Sequence, residues 1–177
     1  EGRGRGGSRS TGRHSTGRSY ETGCRGETGR QRQKITEPKN PIMITIRRSI
    51  KEDDAAVVDL INAIMDREFH DAKHAYPTED VECIEKAYGG IGEAFFVAVD
   101  NKTQKVVGTV AIKKEDSRVA LLRRLFVAPT HRNLKIGKSL IDRALEFCRE
   151  VGYEEVVFKT TSKMSGAIDL CLKNGFV

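Results

Sequence analysis

Apolar and polar residues alternate over "IMITIRRSI" (42–50), the period-two pattern of a half-buried strand. The next stretch, "KEDDAAVVDLINAIMDREFH", switches to helical spacing. It sets Val57, Leu60, Ile61, Ile64 and Met65 on one face and acidic residues in the first turn. Pro77-Thr78 opens a second helix, "TEDVECIEKAY", which Gly89-Gly90 stops. Three strands follow, joined by short polar turns: "AFFVAVD", "VVGTVAIKK" and "VALLRRLFV". A third helix, "IGKSLIDRALEFCREVG", spaces Ile136, Leu140, Ile141, Ala144, Leu145, Cys148 and Val151 along one side. "YEEVVFKT" is one more strand, and "SKMSGAIDLCLKNGF" a short last helix closed by Asn174-Gly175. The order β-α-α-β-β-β-α-β-α predicts an α/β domain: a mixed, mostly antiparallel central sheet flanked by helices.

Composition divides the chain in two. Residues 1–40 are an Arg/Gly-rich segment in which Thr-Gly recurs at 11, 16, 22 and 28. So few apolar side chains cannot offset the entropy of ordering, and the expectation is a disordered tail before a domain at 41–177. That segment holds ten Lys/Arg and four Asp/Glu, so of the chain's 31 basic and 25 acidic residues 21 of each remain beyond it. The net +6 therefore belongs to the tail, whose candidate role is weak, salt-sensitive nucleic-acid binding; a solvated tail is the plain alternative. No apolar run approaches the ~18 residues of a membrane span. Cys24, Cys83, Cys148 and Cys171 show no C-x-x-C spacing, which fits reduced thiols in a cytoplasmic protein. His70 and His74 sit four apart, a metal-like spacing that nothing nearby completes.

The candidate chemistry lies in "LFVAPTHRNLKIGKSL" (125–140). An apolar strand gives way to a basic loop and then a helix, whose first N–H groups lack intrahelical partners and attract anions. Arg132, Lys135 and Lys138 surround that helix start, and Gly137 permits close backbone approach. The Walker and dinucleotide glycine patterns are both absent. A solvated basic face is the competing reading.

The arrangement of "RNLKIG" after "LFVAP", with the "KNGF" ending downstream and "ITIRRSIKEDDAAVVDLI" upstream, resembles the GNAT superfamily of acetyl-CoA-dependent N-acetyltransferases over about residues 42–177. The resemblance implies acetyl-CoA as co-substrate and an amine acceptor attacking it directly. It places the pantetheine arm against main-chain groups of Leu125, Phe126 and Val127, with one N–H, that of Val127, polarising the thioester carbonyl. It assigns the pyrophosphate to Arg132, Asn133, Leu134, Lys135, Ile136, Gly137, Lys138 and Ser139, with further cofactor contacts from Ser162 and Ala167. Cys171 falls where the family often carries a tyrosine acid for the leaving thiolate, and His131 adjoins the loop as a titratable candidate. Packing on the apolar face of the last helix is the other role open to Cys171.

Three departures temper the transfer. Lys135 stands where the family usually has its first loop glycine, a strain of roughly 1–2 kcal/mol if the backbone is left-handed. Leu121 occupies the strand position of the family's general-base glutamate. The family's last two strands are missing after Val177, so a fragment is expected, with a sheet edge through which two copies could pair. A non-catalytic acyl-CoA-binding domain and a nucleic-acid-associated protein acting through its tail are the rival functions.

Overall fold

The computed structural model describes residues 43–71, 77–160 and 162–177. The Arg/Gly segment, Cys24 and His74 lie outside them. Strands are β1 (Ile44–Arg48), β2 (Ala94–Asp100), β3 (Lys105–Lys114), β4 (Val119–Val127) and β5 (Glu155–Phe158). Helices are α1 (Asp54–Glu68), α2 (Glu79–Glu82), α3 (Ile84–Tyr88), α4 (Ile136–Val151) and α5 (Ser165–Lys173). The strands lie side by side in chain order, antiparallel except for the parallel β4–β5 pair.

β2 shows why the sheet forms. All seven of its residues are buried, because both faces of the sheet are covered there. Phe95, Val97 and Val99 point to one side and pack with Val57, Ile61 and Met65 of α1 and with Val81, Ile84 and Tyr88 of α2 and α3. Ala94, Phe96 and Ala98 point to the other and meet Leu140, Ala144, Phe147 and Cys148 of α4. Small residues alternate with large ones on the α4 side, which lets that helix lie close to the strands. The period-two pattern is thus read on both faces.

The sequence-predicted elements appear in their expected places, with three differences. The helix expected over 78–88 breaks at Cys83 (φ −142°, ψ 84°), which turns Asp80 on α2 toward the sheet while Ile84 and Tyr88 on α3 stay buried. On α4, Phe147 belongs to the buried face and Val151 is exposed. β4 is not a plain alternating strand, because it carries a bulge. Helix α5 ends as Asn174-Gly175 implies: Gly175 adopts φ 89°, its N–H donates to Leu172 O, and Phe176 N–H donates to Cys171 O.

Among the described residues no helix is long and apolar enough to cross a membrane. Cys83 is an exposed free thiol, and Cys148 and Cys171 are buried free thiols. Burial pushes the Cys148 thiol up to about 11.

Leu140 is fully buried where α4 crosses the sheet. Leu140→Ala is expected to cost about 2–5 kcal/mol of stability, read as a lower urea midpoint at unchanged slope.

Candidate active site

Strands β4 and β5 pair only from Val119–Glu155 to Leu122–Phe158. Beyond that point β5 ends and β4 continues alone on this side. The two chains diverge around a cleft of about 230 Å³, walled by Leu121, Leu125 and Phe126 of β4, by Phe158 and Thr160 at the end of β5, and by Met164 and Ala167 at the start of α5.

The divergence has a local cause. The β3–β4 register shifts between Thr109 and Ala111, so that Arg124 and Leu125 together oppose Val110. Arg124 takes φ 52°, unusual for a residue with a side chain. One inserted residue reverses the alternation. Leu122 packs on the α4 side, whereas Phe126 packs on the α1 side. Simple alternation would put both on one face.

The bulge is held from several directions. Thr109 Oγ1 donates to Arg124 O at 2.7 Å in the buried interior. The Arg124 side chain is only 4% exposed and spreads its guanidinium over α2. Its Nε donates to Asp80 Oδ2 at 3.1 Å, and its Nη2 donates to Asp80 Oδ1 and to Pro77 O. Tyr88 Oη donates to the same Oδ2 of Asp80. Burial, then that hydrogen bond, pushes the Tyr88 phenol well above its ordinary range, so it remains a donor. Arg123 approaches Asp80 Oδ2 only to 3.8 Å. Sequence reading passed over Arg124, Asp80 and Tyr88. The adjacent arginines in an otherwise apolar strand were the available signal.

Past the bulge, β4 turns its amides in a defined order. Ala128 N–H donates to Val107 O at 2.8 Å, which makes these residues a hydrogen-bonded pair. Gly108–Val127 is then a non-hydrogen-bonded pair and Thr109–Phe126 a bonded one. Val127 therefore turns its N–H and C=O away from β3, toward the cleft side. Phe126, whose main chain was expected to share that role, is in a bonded pair with Thr109, while the residue itself borders the cleft.

The loop after β4 leads into α4. Asn133 and Lys135 both adopt left-handed backbones, φ 65° and 60°. Asparagine tolerates this; lysine carries the strain that its place in a glycine position implied. Lys135 is the residue before the first turn of α4, and no side chain caps that helix start. Its carbonyl accepts Ser139 N–H at 3.0 Å. The N–H groups of Ile136, Gly137 and Lys138 have no intrahelical acceptor and point out of the helix end. Gly137 has a packing reason beside any ligand role, since a Cβ there would lie 2.6 Å from Leu170 Cδ2 of α5.

The basic side chains of the loop have protein partners. Arg132 bridges Glu68 at the end of α1 and donates from Nε to Val127 O at 3.2 Å. Lys138 pairs with Asp142 one turn along at 2.7 Å. Lys135 and Leu134 are exposed.

The other candidates fall elsewhere. Ser162 is exposed just before α5. His131 lies against the end of β2, its Nε2 3.7 Å from Asp100 Oδ2 and its Nδ1 2.9 Å from Thr130 Oγ1. Cys171 is 3% exposed and faces a second groove, between α5 and the outer side of β5, not the β4–β5 cleft. Burial pushes its thiol up to about 11, keeping it protonated at neutral pH. His70 is exposed.

Two outcomes follow from this geometry. Asp80→Ala strands a buried guanidinium and is expected to destabilise the fold by about 3 kcal/mol in chemical denaturation. Lys135→Gly relieves the left-handed strain and is expected to raise stability by up to about 1 kcal/mol, seen as a higher melting temperature.

Comparison with known proteins gives this geometry its context. The sequence profile described as the acetyltransferase (GNAT) family matches residues 59–176. Rat N-acetyltransferase 8F1 is 34% identical over 100 residues, 55% of this chain and 45% of that protein. The probable N-acetyltransferase camello of Xenopus tropicalis is 32% identical over 111 residues, 62% of this chain and 50% of that one. The chain thus spans about half the length of the curated relatives it matches. Among solved structures, a GNAT-family acetyltransferase from Staphylococcus aureus Mu50 superposes with a TM-score of 0.69 at 29% identity, covering 76% of this chain and 85% of that one. With a family profile spanning both the cleft and the helix start beside it, the chain belongs to the GNAT acetyltransferase family.

Proposed function

We propose that the protein transfers the acetyl group of acetyl-CoA to a primary amine by direct attack. The observation that carries this reading is the conjunction of the uncapped start of α4 with a β4 edge released from β5 and presenting the Val127 N–H. A diphosphate suits the first feature and an acylated thiol arm the second. Acetyl-CoA, when bound, supplies the acyl carbon and the leaving thiolate.

This chain's residues fit that ligand. The amides of Ile136, Gly137 and Lys138 hold anionic oxygens, and the exposed Lys135 ammonium adds charge attraction. The strain at Lys135 is the cost of aiming that first turn. The Val127 N–H donates to the carbonyl oxygen of the thioester and strengthens as negative charge develops there. Arg132, by gripping Val127 O and Glu68, keeps this amide and the loop in one orientation. Phe158, Met164 and Ala167 flank the thiol arm and exclude water.

In the reaction the neutral amine nitrogen attacks the acyl carbon, the C–S bond breaks, one N–H proton leaves and the thiolate takes up a proton. Leu121 offers no carboxylate, and among the described residues the cleft lining holds neither an acid nor a histidine. The amine therefore arrives neutral, or loses its proton to water. Its own pKa then sets the pH profile.

The test mixes the protein with acetyl-CoA and a panel of amines while released thiol is followed. Turnover is expected, with kcat/KM rising about tenfold per pH unit up to the acceptor's own pKa and level above it. A plateau at one fixed pH for every acceptor would show an enzymic base instead. CoA binding with no turnover on any amine would leave an acyl-CoA-binding domain.

A further inference from the structure

Resting on that transferase reading, we infer that the acceptor is an apolar amine carrying a carboxylate beside its nitrogen, an amino acid or amino-acid conjugate, and that Arg123 reads the carboxylate. Charge in the cleft points there. Among the described residues lining it, Arg123, Arg124 and Lys159 are cations and none is an acid. Lys159 is satisfied outside the cleft, 2.6 Å from Glu115. Arg124 is paired with Asp80 through two hydrogen bonds along one edge of its guanidinium. Among the described residues Arg123 has only the distant approach, 3.8 Å, to an Asp80 oxygen that already accepts from Arg124 and Tyr88. Among the described residues these two guanidiniums share one carboxylate, which leaves one positive charge without a close counter-charge.

That surplus lies on the acceptor side. The anionic portion of coenzyme A belongs at the α4 start, beyond Val127, and its thiol arm is uncharged. Arg123 and Arg124 sit on the other side of Val127, at the bulge, beside Pro77 and α2. Arg123 is 41% exposed and free to swing toward a ligand. Arg124 keeps one further donor, Nη1, buried and without a partner among the described residues, in the same wall. A donor left in that state is costly until an acceptor oxygen meets it.

The consequence for an incoming amine is physical. A plain alkylammonium is repelled by a surplus cation, whereas an amino acid brings its own compensating charge. The same field favours the unprotonated form of the amine, which is the nucleophile a cleft without a base requires. Leu121, Leu125 and Phe126 leave the remaining wall apolar, suited to a hydrophobic body.

The decisive comparison uses phenylalanine, phenylalaninamide, 2-phenylethylamine and spermidine as acceptors, each rate expressed per neutral amine. Phenylalanine is expected to exceed the two uncharged-tail analogues in kcat/KM by about tenfold, and spermidine by more. In Arg123→Gln the ratio of phenylalanine to phenylalaninamide is expected to fall to about one, through KM for phenylalanine. The KM for acetyl-CoA and the melting temperature check that the variant is folded. Equal or better use of the amide, of phenylethylamine or of spermidine overturns the inference and leaves amine acetylation standing. So does a preference that survives Arg123→Gln. If acetyl-CoA binds and no amine is acetylated, the transferase reading fails and the inference falls with it.

Discussion

The bulge in β4 and the Arg124–Asp80 pair that holds it govern the functional half of the molecule. A strand that stayed in register would keep pairing with its neighbour and leave no room between them. Inserting one residue at Arg124 reverses which side chains face which layer, while the main chain beyond it stays paired with β3 and is no longer paired with β5. The left-handed conformation at an arginine is unfavourable in isolation. It persists because the side chain is gripped by Asp80 and Pro77 and the carbonyl by Thr109. Those contacts also tie the short helices α2 and α3 to the strand that lines the cleft. Stability and site geometry therefore share one set of hydrogen bonds.

A second strained position lies at the opposite end of the same strand-loop-helix unit. Lys135 is left-handed where a glycine would be at ease. Together the two show backbone strain concentrated at the ends of the segment that faces the cleft. Between them, Arg132 links the loop to α1 through Glu68 and to β4 through the Val127 carbonyl. The loop is thus anchored to both layers, while the first amides of α4 are not tied up by any side-chain cap.

The fold was legible in the sequence because nearly every element announces itself by period. Val57, Ile61, Ile64 and Met65 mark one helix face, and Phe95, Val97 and Val99 one sheet face. The helix start at Ile136 and the stop at Asn174-Gly175 were equally plain. What alternation could not reveal was the bulge, since "VALLRRLFV" reads as an unbroken strand until the flip between Leu122 and Phe126 is seen in space. The partnership of Arg124 with Asp80 spans 44 residues, and no local pattern encodes it. The same applies to Cys171. Its place in a short helix was readable, but whether it faced the cleft or the far groove depended on how α5 docks.

The acceptor side is where spatial information changed the picture most. Charge counts describe the domain beyond the tail as neutral, yet the cleft collects three cations in its lining and, among the described residues, leaves one without a close partner. Whole-chain charge averages away a local field of this kind. The idea on which everything rests is that backbone N–H groups, those of Val127 and of the first turn of α4, receive the cofactor. Titrating isotope-labelled protein with coenzyme A while amide resonances are recorded tests it most directly. The expected result is large, saturable shifts at Val127 and at Lys135 through Ser139, with β1 and β2 unmoved. Saturable binding that leaves those amides unshifted would contradict it.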